Sequence, residues 1–171
     1  MSRDELTLFS YEILGLVGRQ GASAHDLLRL ARRDRMLAWA GESQYYVEPK
    51  RLARLGYLAA AKAPGRTRER TVYTLTDRGR EAIRAYARTP VRITPLKSEP
   101  LLRLLLADLA GDVPPLDGLR DDVAELRAQL DAAAERLQGL PHRRENLLLV
   151  NRFLHRLLDL HLELADAVER R

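Results

Sequence analysis

The sequence of 171 residues contains no cysteine, and this absence removes several kinds of chemistry. Disulfide bonds, thiolate metal sites and cysteine nucleophiles are all excluded. Long hydrophobic runs are missing too, because no apolar stretch approaches the roughly 18 residues that a membrane span needs. The first residues, Met1–Glu5, lack the apolar segment of a secretory signal. We therefore expect a soluble, cytoplasmic protein.

Recognisable catalytic motifs are also absent. The chain has no glycine-rich phosphate-binding loop, no Gly-x-Ser-x-Gly turn and no His-Glu-x-x-His pair. Histidines offer no clear metal site, because His155 and His161 are spaced so that one helix does not bring both to a single ion. The sequence predicts a protein that is not an enzyme and that holds neither a metal nor a cofactor.

What the chain does have is an uneven distribution of charge. Residues 1–90 carry 17 Lys/Arg against 10 Asp/Glu, a net charge of +7, whereas residues 91–171 carry 12 against 14, a net charge of −2. Binding to a polyanion requires clustered cations, because each phosphate must be neutralised. The asymmetry is typical of a chain that joins a polyanion-binding module to a second, neutral module.

Hydrophobic spacing predicts three helices in the first part of the chain. Residues 6–17 repeat apolar side chains at helical intervals, so one face is expected in a core. Ser23 followed by Asp26 resembles a reciprocal cap at the start of a second helix. A third helix is predicted over 43–55, capped by its serine and ended by Gly56.

A β-hairpin and a fourth helix follow. Segments 57–61 and 71–75 have the β-branched and aromatic alternation of paired strands. Thr76 then predicts the cap of a helix that runs to Ala87. Three helices, a hairpin and a helix form the outline of a winged helix-turn-helix, which we assign to residues 1–88.

The second half is helical in period throughout. Residues 98–110 predict a leucine-rich helix, and the prolines that follow end it. From Leu119 to Leu137 the apolar positions alternate in steps of four and three, the seam of a coiled coil. A last helix, about 142–169, repeats this seam. The predicted fold class is therefore mainly α with a small β-hairpin wing, followed by an antiparallel helical domain.

The last helix carries a second apolar row, so its apolar stripe is wider than one antiparallel neighbour would cover. A second copy of the chain is the simplest partner for that surface. We therefore expect residues 96–171 to form a homodimerisation domain. The candidate interface residues are Leu147, Val150, Leu154, Leu157, Leu158, His161, Leu162 and Ala165.

Candidate DNA-binding residues cluster on the third helix and at the tip of the hairpin. They offer amide, phenol, ammonium and guanidinium groups that can donate to phosphates and base edges. Three arginines at alternate positions of the tip would share one side of an extended backbone. The alternative is a solvated helix face beside a charged loop without specific function. The candidate set is Ser43, Gln44, Tyr45, Tyr46, Lys50, Arg51, Arg54, Arg66, Arg68 and Arg70.

The segment from Ser43 to Leu58, together with 73–82, resembles the PadR family of bacterial transcriptional regulators. The likeness covers about residues 5–88, with weaker support from the helical tail. It depends on Tyr46, Lys50-Arg51-Leu52, Leu55-Gly56 and the exit Tyr73-Thr74-Leu75-Thr76-Asp77-Arg78-Gly79. The resemblance implies a homodimer whose third helices and wings grip a pseudo-palindromic operator, usually as a repressor, and that responds to a phenolic or drug-like effector.

Pro49 departs from the family pattern, in which an aliphatic residue is frequent. Inside a helix, proline removes one hydrogen bond and clashes with the carbonyl four residues earlier, here that of Tyr45. Either the helix is kinked there or it begins near Glu48, with the proline in its first turn. In the second case Ser43, Gln44 and Tyr45 lie in the preceding turn and contact phosphates more than bases.

Two other functions stay open at the level of the sequence. One is a protein-interaction adaptor that dimerises through its tail without specific DNA binding. The other is a small-molecule-binding protein or enzyme with a cavity between tail and head, for which Trp39 and His161 are the first residues to test. Trp39 and Tyr57 are expected to pack in a core. The charge distribution favours the DNA-binding regulator.

Overall fold

The computed structural model describes residues 5–33, 40–64, 69–111, 115–136 and 143–170. The chain divides into two compact units, Met1–Arg92 and Ile93–Arg171. None of the helices in the described ranges is long and apolar enough to cross a membrane. Residues Trp39, Arg66, Arg68 and Leu137, which the sequence singled out, lie outside these ranges.

The first unit contains four helices and three strands. The predicted order of three helices, a hairpin and a fourth helix is confirmed, and a short strand before the second helix is an addition. In chain order the elements are α1 (Leu8–Val17), β1 (Ala22–Ser23), α2 (Ala24–Arg33), α3 (Gln44–Arg54), β2 (Leu58–Ala63), β3 (Arg70–Leu75) and α4 (Asp77–Ala87).

Side-chain caps fix the starts of three of these helices. Thr7 and Ser10 cap α1 reciprocally. At α2, the Ser23 amide donates to Asp26 Oδ2 at 3.1 Å and the Asp26 amide donates to Ser23 Oγ at 3.3 Å, which confirms the predicted reciprocal cap. Thr76 caps α4 by accepting from the amide of the third helical residue, as predicted.

The sheet is antiparallel, with strand order β1-β3-β2. The hairpin runs in register from the pair Leu58 and Leu75 to the pair Ala63 and Arg70. On the other edge of β3, Ala22 of β1 pairs with Tyr73. The two-residue strand was not predicted, because it is too short to show an alternating pattern.

The core of the first unit lies between the helices and the sheet. Apolar side chains from α1, α2, α3 and both hairpin strands meet there, as the helical spacing predicts. The buried cluster comprises Ile13, Leu14, Val17, Ala22, Leu27, Leu28, Ala31, Tyr45, Leu52, Leu58 and Tyr73. Tyr11 of α1 packs against this cluster, and its ring stacks on Tyr86 of α4 with centroids 3.9 Å apart.

Gly79 allows the first turn of α4 to approach the start of the hairpin closely. A Cβ at this position would lie 2.2 Å from the Tyr57 carbonyl oxygen. The Thr76 hydroxyl donates to the Gly56 carbonyl at 2.7 Å in the same corner. These contacts give a physical reason for the Leu-Thr-x-x-Gly pattern at the hairpin exit: threonine fixes the corner and only glycine fits behind it.

The second unit is helical: α5 (Glu99–Leu105), α6 (Ala107–Ala110), α7 (Asp117–Arg136) and α8 (Arg144–Glu169). The prediction of one continuous helix over 98–110 is wrong, because α5 ends at Leu105 and α6 begins at Ala107, with Leu106 between them at φ −98° and ψ −3°. Gly111 ends α6 in the left-handed conformation. The long last helix is confirmed within two residues of its predicted start.

Ion pairs show that α7 and α8 run antiparallel. Arg120 near the start of α7 donates to Asp166 near the end of α8, at 2.7 Å. Further along, Arg127 donates to Asp159 at 2.8 Å. Between them, the buried seam includes Val123 of α7. The predicted antiparallel pairing of these two helices is confirmed.

Candidate nucleic-acid interface

The outer face of α3 presents polar and charged side chains to solvent. We define this outer face as Gln44, Tyr46, Val47, Lys50 and Arg54, all of which are exposed. No residue in the described ranges pairs with the Lys50 ammonium or the Arg54 guanidinium. These two cations are four residues apart and so lie on neighbouring turns. The face therefore offers unpaired donors beside a phenol and an amide.

Helix α3 begins at Gln44 and continues through Pro49, which lies inside the helix and is buried. The alternative in which the helix begins near Glu48 is therefore wrong. The first turn forms because amides bond to carbonyls three residues back: Gln44 donates to Gly41 at 3.0 Å and Tyr46 to Ser43 at 3.1 Å. Packing of the proline ring in the core offsets the hydrogen bond that it removes.

Ser43 stands at the N-cap position of α3 and is exposed, but its side chain makes no capping hydrogen bond. The predicted cap bond is wrong. Capping needs an extended N-cap backbone, whereas Ser43 has φ −59° and ψ −30°, which is already helical. The hydroxyl is therefore not engaged in capping.

Tyr45 belongs to the core and not to the surface. It is 1% exposed, and its hydroxyl donates to Glu12 Oε1 at 2.7 Å. The edge of its ring meets Phe9, with centroids 5.1 Å apart. Burial and the hydrogen bond to Glu12 raise the pKa of the phenol. The prediction that Tyr45 contacts DNA is corrected, because a side chain enclosed between α3 and α1 cannot reach a groove.

Arg51 is turned towards the protein. Its guanidinium donates to both oxygens of Glu48, at 2.9 and 2.7 Å, and to Ser10 Oγ at 3.0 Å. Glu48 is buried, with 7% of its surface exposed. At helical spacing, Glu48 shares one face of α3 with the buried Tyr45 and Leu52. A carboxylate on an inward face needs a cationic partner, and that requirement could have identified Arg51.

The wing carries cations in exposed ion pairs. Lys62 Nζ lies 3.1 Å from Glu69 Oε2, and Arg70 Nη1 lies 3.3 Å from Asp26 Oδ2. Such exposed pairs are weak, so a phosphate can replace the carboxylate at little cost. Hydrogen bonds from Ser23 hold the pKa of Asp26 below its usual value, and the charges of Arg29 and Arg70 act in the same direction.

The predicted dimer residues of α8 fall into two groups. Leu154, Leu158 and Ala165 are buried within the single chain, on the face of α8 that also carries the bond from Asn151 to the Leu130 carbonyl of α7. These three were predicted to bind a second copy, and the structure instead uses them within the α7–α8 pair. The half-exposed members of the predicted set are Leu147, Leu157, His161 and Leu162, and Val150 is exposed.

Another apolar row on α8 was missed. Leu149, Phe153 and Leu160 are exposed, Phe153 to 68%. With Val150 they form what we name the α8 outer row. The sequence has two apolar rows on α8 and does not by itself say which of them faces α7. The charges that pair with α7, such as Asp159, show which row faces inward, and this was the signal that was missed.

No group of three or more His, Asp or Glu residues in the described parts of the chain could hold a metal ion. His155 Nε2 contacts only one carboxylate, Asp131, at 3.3 Å. His161 Nδ1 lies 2.7 Å from the Leu157 carbonyl in its own helix. Within the described residues, His155 therefore joins α8 to α7, whereas His161 bonds within α8.

The strand order, the capped helices and the long helical pair define a winged helix-turn-helix protein with a helical C-terminal unit. Among solved structures, Bacillus subtilis PadR in complex with operator DNA is similar, with a TM-score of 0.67 and 20% identity over 96% of this chain and 99% of that one. A PadR-like transcriptional regulator from Bacillus cereus has a TM-score of 0.67 and 22% identity, over 94% and 96%.

Bacillus subtilis PadR in complex with p-coumaric acid is also similar, with a TM-score of 0.60 and 20% identity over 96% of this chain and 98% of that one. The chain therefore has the PadR fold, and the resemblance seen in the sequence is confirmed at the level of the fold. No protein-family model and no curated protein sequence matches the chain.

Proposed function

We propose that the chain is a transcriptional regulator that binds specific DNA sequences as a homodimer. One observation carries the proposal: the outer face of α3 holds Lys50 and Arg54 exposed and without partners in the described residues. In winged helix-turn-helix proteins the corresponding helix enters the major groove. Bacillus subtilis PadR, which shares the fold, has been seen bound to operator DNA.

Two sets of residues would make different contributions to DNA binding. Arg66, Arg68 and Arg70 of the wing would neutralise phosphates, which supplies attraction that depends on salt but not on sequence. The outer face of α3, with Ser43 beside it, would supply register and base discrimination. Lys50 is the central residue of that face, and its ammonium is suited to the acceptors of guanine.

The α8 outer row supports the homodimer. Leu149, Phe153 and Leu160 form an apolar surface larger than a scatter of single exposed side chains. A two-fold dimer would cover it with the same surface of a second copy. Two winged helices related by that axis would then read a pseudo-palindromic operator, with half-sites about one helical turn of DNA apart or a multiple of it.

We further propose that the chain is a repressor that responds to a small ligand. Bacillus subtilis PadR has been seen with p-coumaric acid as well as with operator DNA. A ligand that binds one spacing of the two winged helices better than another would shift the dimer towards that spacing. DNA affinity would change by the same coupling free energy.

DNA binding is tested by fluorescence-anisotropy titration of the full chain against DNA from upstream of its own gene. The titration is run at several salt concentrations, with and without excess unrelated DNA. Tight binding that survives the competitor and weakens steeply with salt is the expected result. If the competitor abolishes binding, the protein binds DNA only through a non-specific basic surface. Absence of binding at every salt concentration would favour the adaptor alternative.

The ligand response is tested with the same complex. p-Coumaric acid and a panel of related phenols are added to the preformed protein–DNA complex, and release of labelled DNA is measured. A fall in affinity for the operator without a fall for unrelated DNA is expected from a ligand that acts on the dimer. Unchanged operator affinity across the panel would contradict a phenolic effector while leaving the DNA-binding proposal intact.

A further inference from the structure

A buried polar network joins the helix proposed to read DNA to the first helix of the chain. Ser10 of α1 is completely buried, and its hydroxyl donates to Glu48 Oε1 of α3 at 2.7 Å. Arg51, one turn further along α3, donates to the same carboxylate and to Ser10 Oγ. The three residues therefore connect α1 and α3 through directional bonds in the interior.

The hydroxyl of Ser10 is used to its full capacity. A serine hydroxyl has one donor and two acceptor positions. Ser10 donates to Glu48, and it accepts from Arg51 at 3.0 Å and from the Thr7 amide at 2.9 Å. The Thr7 bond is part of the cap of α1. The same oxygen thus completes a helix cap and holds the neighbouring helix.

Directional bonds do something here that apolar packing does not. Burial of apolar surface is non-directional, so it tolerates a small rotation or slide of one helix on another. An arginine that donates two parallel bonds to a carboxylate holds a fixed planar geometry. The pair itself lies within α3, so the bonds that restrict rotation of α3 against α1 are the two that join Glu48 and Arg51 to Ser10.

Stability alone does not account for an ion pair in the interior. A buried ion pair generally stabilises a fold no more than well-packed apolar residues of the same volume would, because desolvation of the charges offsets their attraction. Retention of a charged pair in place of apolar residues is best explained by geometry. Lys50 lies between Glu48 and Arg51 in the sequence, so the direction in which it leaves the helix follows directly from their placement.

We propose that Ser10, Glu48 and Arg51 are positioning residues that set the angle of α3 and thereby determine which bases its outer face reads. None of the three touches DNA in this proposal. The inference rests on the proposed DNA binding and deepens it. It separates two roles within α3: exposed residues make the contacts, whereas the buried Glu48 and the half-buried Arg51 determine where those contacts fall.

The experiment is selection of binding sites from a random DNA library by the full-length chain. The affinity for the best selected site is divided by the affinity for single-base substitutions of it, which gives a specificity ratio. Glu48→Gln is expected to lower this ratio about tenfold, because misplaced donors lose their match to base edges. Its affinity for unrelated DNA should not fall, because the exposed cations are unchanged and one negative charge is removed.

Arg51→Lys separates geometry from charge. Lysine keeps the positive charge but cannot donate two parallel bonds. The same loss of specificity ratio as in Glu48→Gln is expected. A ratio equal to that of the wild type in both variants would overturn the proposal, even where thermal unfolding occurs at a lower temperature, because the network would then be structural only.

Ile13→Val is the matched control. It removes one buried carbon from α1 without touching the network, since Ile13 is fully buried in the apolar core. We expect a lower unfolding temperature with the specificity ratio of the wild type. A control that lost specificity in step with stability would overturn the proposal, because any destabilisation would then have the same effect.

The failures of the two proposals are distinguishable. A wild-type chain that enriches no sequence would overturn the proposed function and the positioning role together. A wild type that enriches a site, with variants that read it equally well, would overturn the positioning role alone. If Glu48→Gln fails to fold, Ser10→Ala tests the proposal instead, because it removes one buried oxygen and leaves the charged pair intact. A specificity ratio of Ser10→Ala equal to that of the wild type would count against the proposal.

Discussion

The two units of the chain differ in where they keep their large apolar side chains. In the first unit, residues such as Ile13, Leu27 and Leu52 are completely buried. In the second unit, Phe153 and Leu109 are exposed to 68% and 82%. Both units follow the helical hydrophobic period, but among the described residues the second unit leaves many more of its large apolar side chains exposed. A helical hydrophobic pattern therefore predicts that a surface is covered, but it does not predict whether the same chain or a second chain covers it.

The two units also differ in where their charged side chains form ion pairs. Charged groups of the first unit include a buried network, in which Glu48 and Arg51 lie against Ser10. Those of the second unit form exposed pairs across the α7–α8 seam, such as Arg120 with Asp166. Exposed ion pairs align the two helices but add little to the free energy of folding. Buried ion pairs restrict the relative positions of the groups that they join.

The largest expected effect comes from placing charge on the α8 outer row. Phe153→Asp combined with Leu160→Asp should convert the proposed dimer to a monomer, because carboxylates cannot be buried without partners. Operator affinity should fall about 100-fold or more, since two linked half-site contacts become single ones. Sedimentation measures the mass and anisotropy the affinity. Arg152→Asp, at an exposed polar position of α8, is the control and should stay dimeric.

A change in the tightest corner of the first unit should come next. Gly79→Ala would place a Cβ 2.2 Å from the Tyr57 carbonyl oxygen, and the resulting overpacking should lower the free energy of unfolding by about 2 to 3 kcal/mol. Denaturant titration measures this loss. Gly118→Ala, in α7, meets no atom within 4 Å and should cause no loss. Equal stability of both variants would show that the corner relaxes freely.

Lys50→Ala tests the outer face of α3 with a smaller effect. If Lys50 reads bases, affinity for the operator should fall about tenfold with a changed sequence preference. If it touches a phosphate, affinity should weaken on all sequences and the salt slope should flatten by about one. Anisotropy titration at several salt concentrations separates the two results. A variant that behaves as the wild type in both respects would place the contact surface on another face.

The smallest expected effect concerns acid stability of the first unit. Because the folded state lowers the pKa of Asp26, its stabilisation is complete above the ordinary aspartate value and is lost as the pH falls through the lowered pKa. Asp26→Asn should therefore cost about 1 kcal/mol or less near neutral pH and less still in acid. Urea unfolding between pH 6 and 3 measures both. Glu163→Gln, on the exposed side of α8, should change neither.

Local signals predicted most of the fold because they act within a few residues. The reciprocal cap of Ser23 with Asp26, the threonine that starts α4 and the alternation of the hairpin strands all specify structure through their immediate neighbours. β1 was not predictable, because a two-residue strand exists only through its pairing with distant Tyr73. The break at Leu106 was not predictable either, because no proline or glycine lies at the break.

The candidate site was harder to predict, because exposure depends on packing between distant segments. The inward turn of Arg51 follows from Ser10, which is 41 residues away in the chain. Burial of Tyr45 follows from Glu12 and Phe9, on another helix. Likewise, the phase of the apolar rows on α8 depends on its alignment with α7. These three errors concerned which face of a correctly predicted helix points inward.

The proline inside α3 has a consequence for the order in which the first unit folds. A segment of eleven residues interrupted by Pro49 cannot form a stable helix alone, because it is short and lacks one internal hydrogen bond. Its helical structure therefore depends on tertiary packing, in which the ring of Pro49 is fully buried. We therefore expect α3 to form late in folding, with its contacts absent from the transition state. The helix proposed to recognise DNA then depends for its structure on the same core that holds the first unit together.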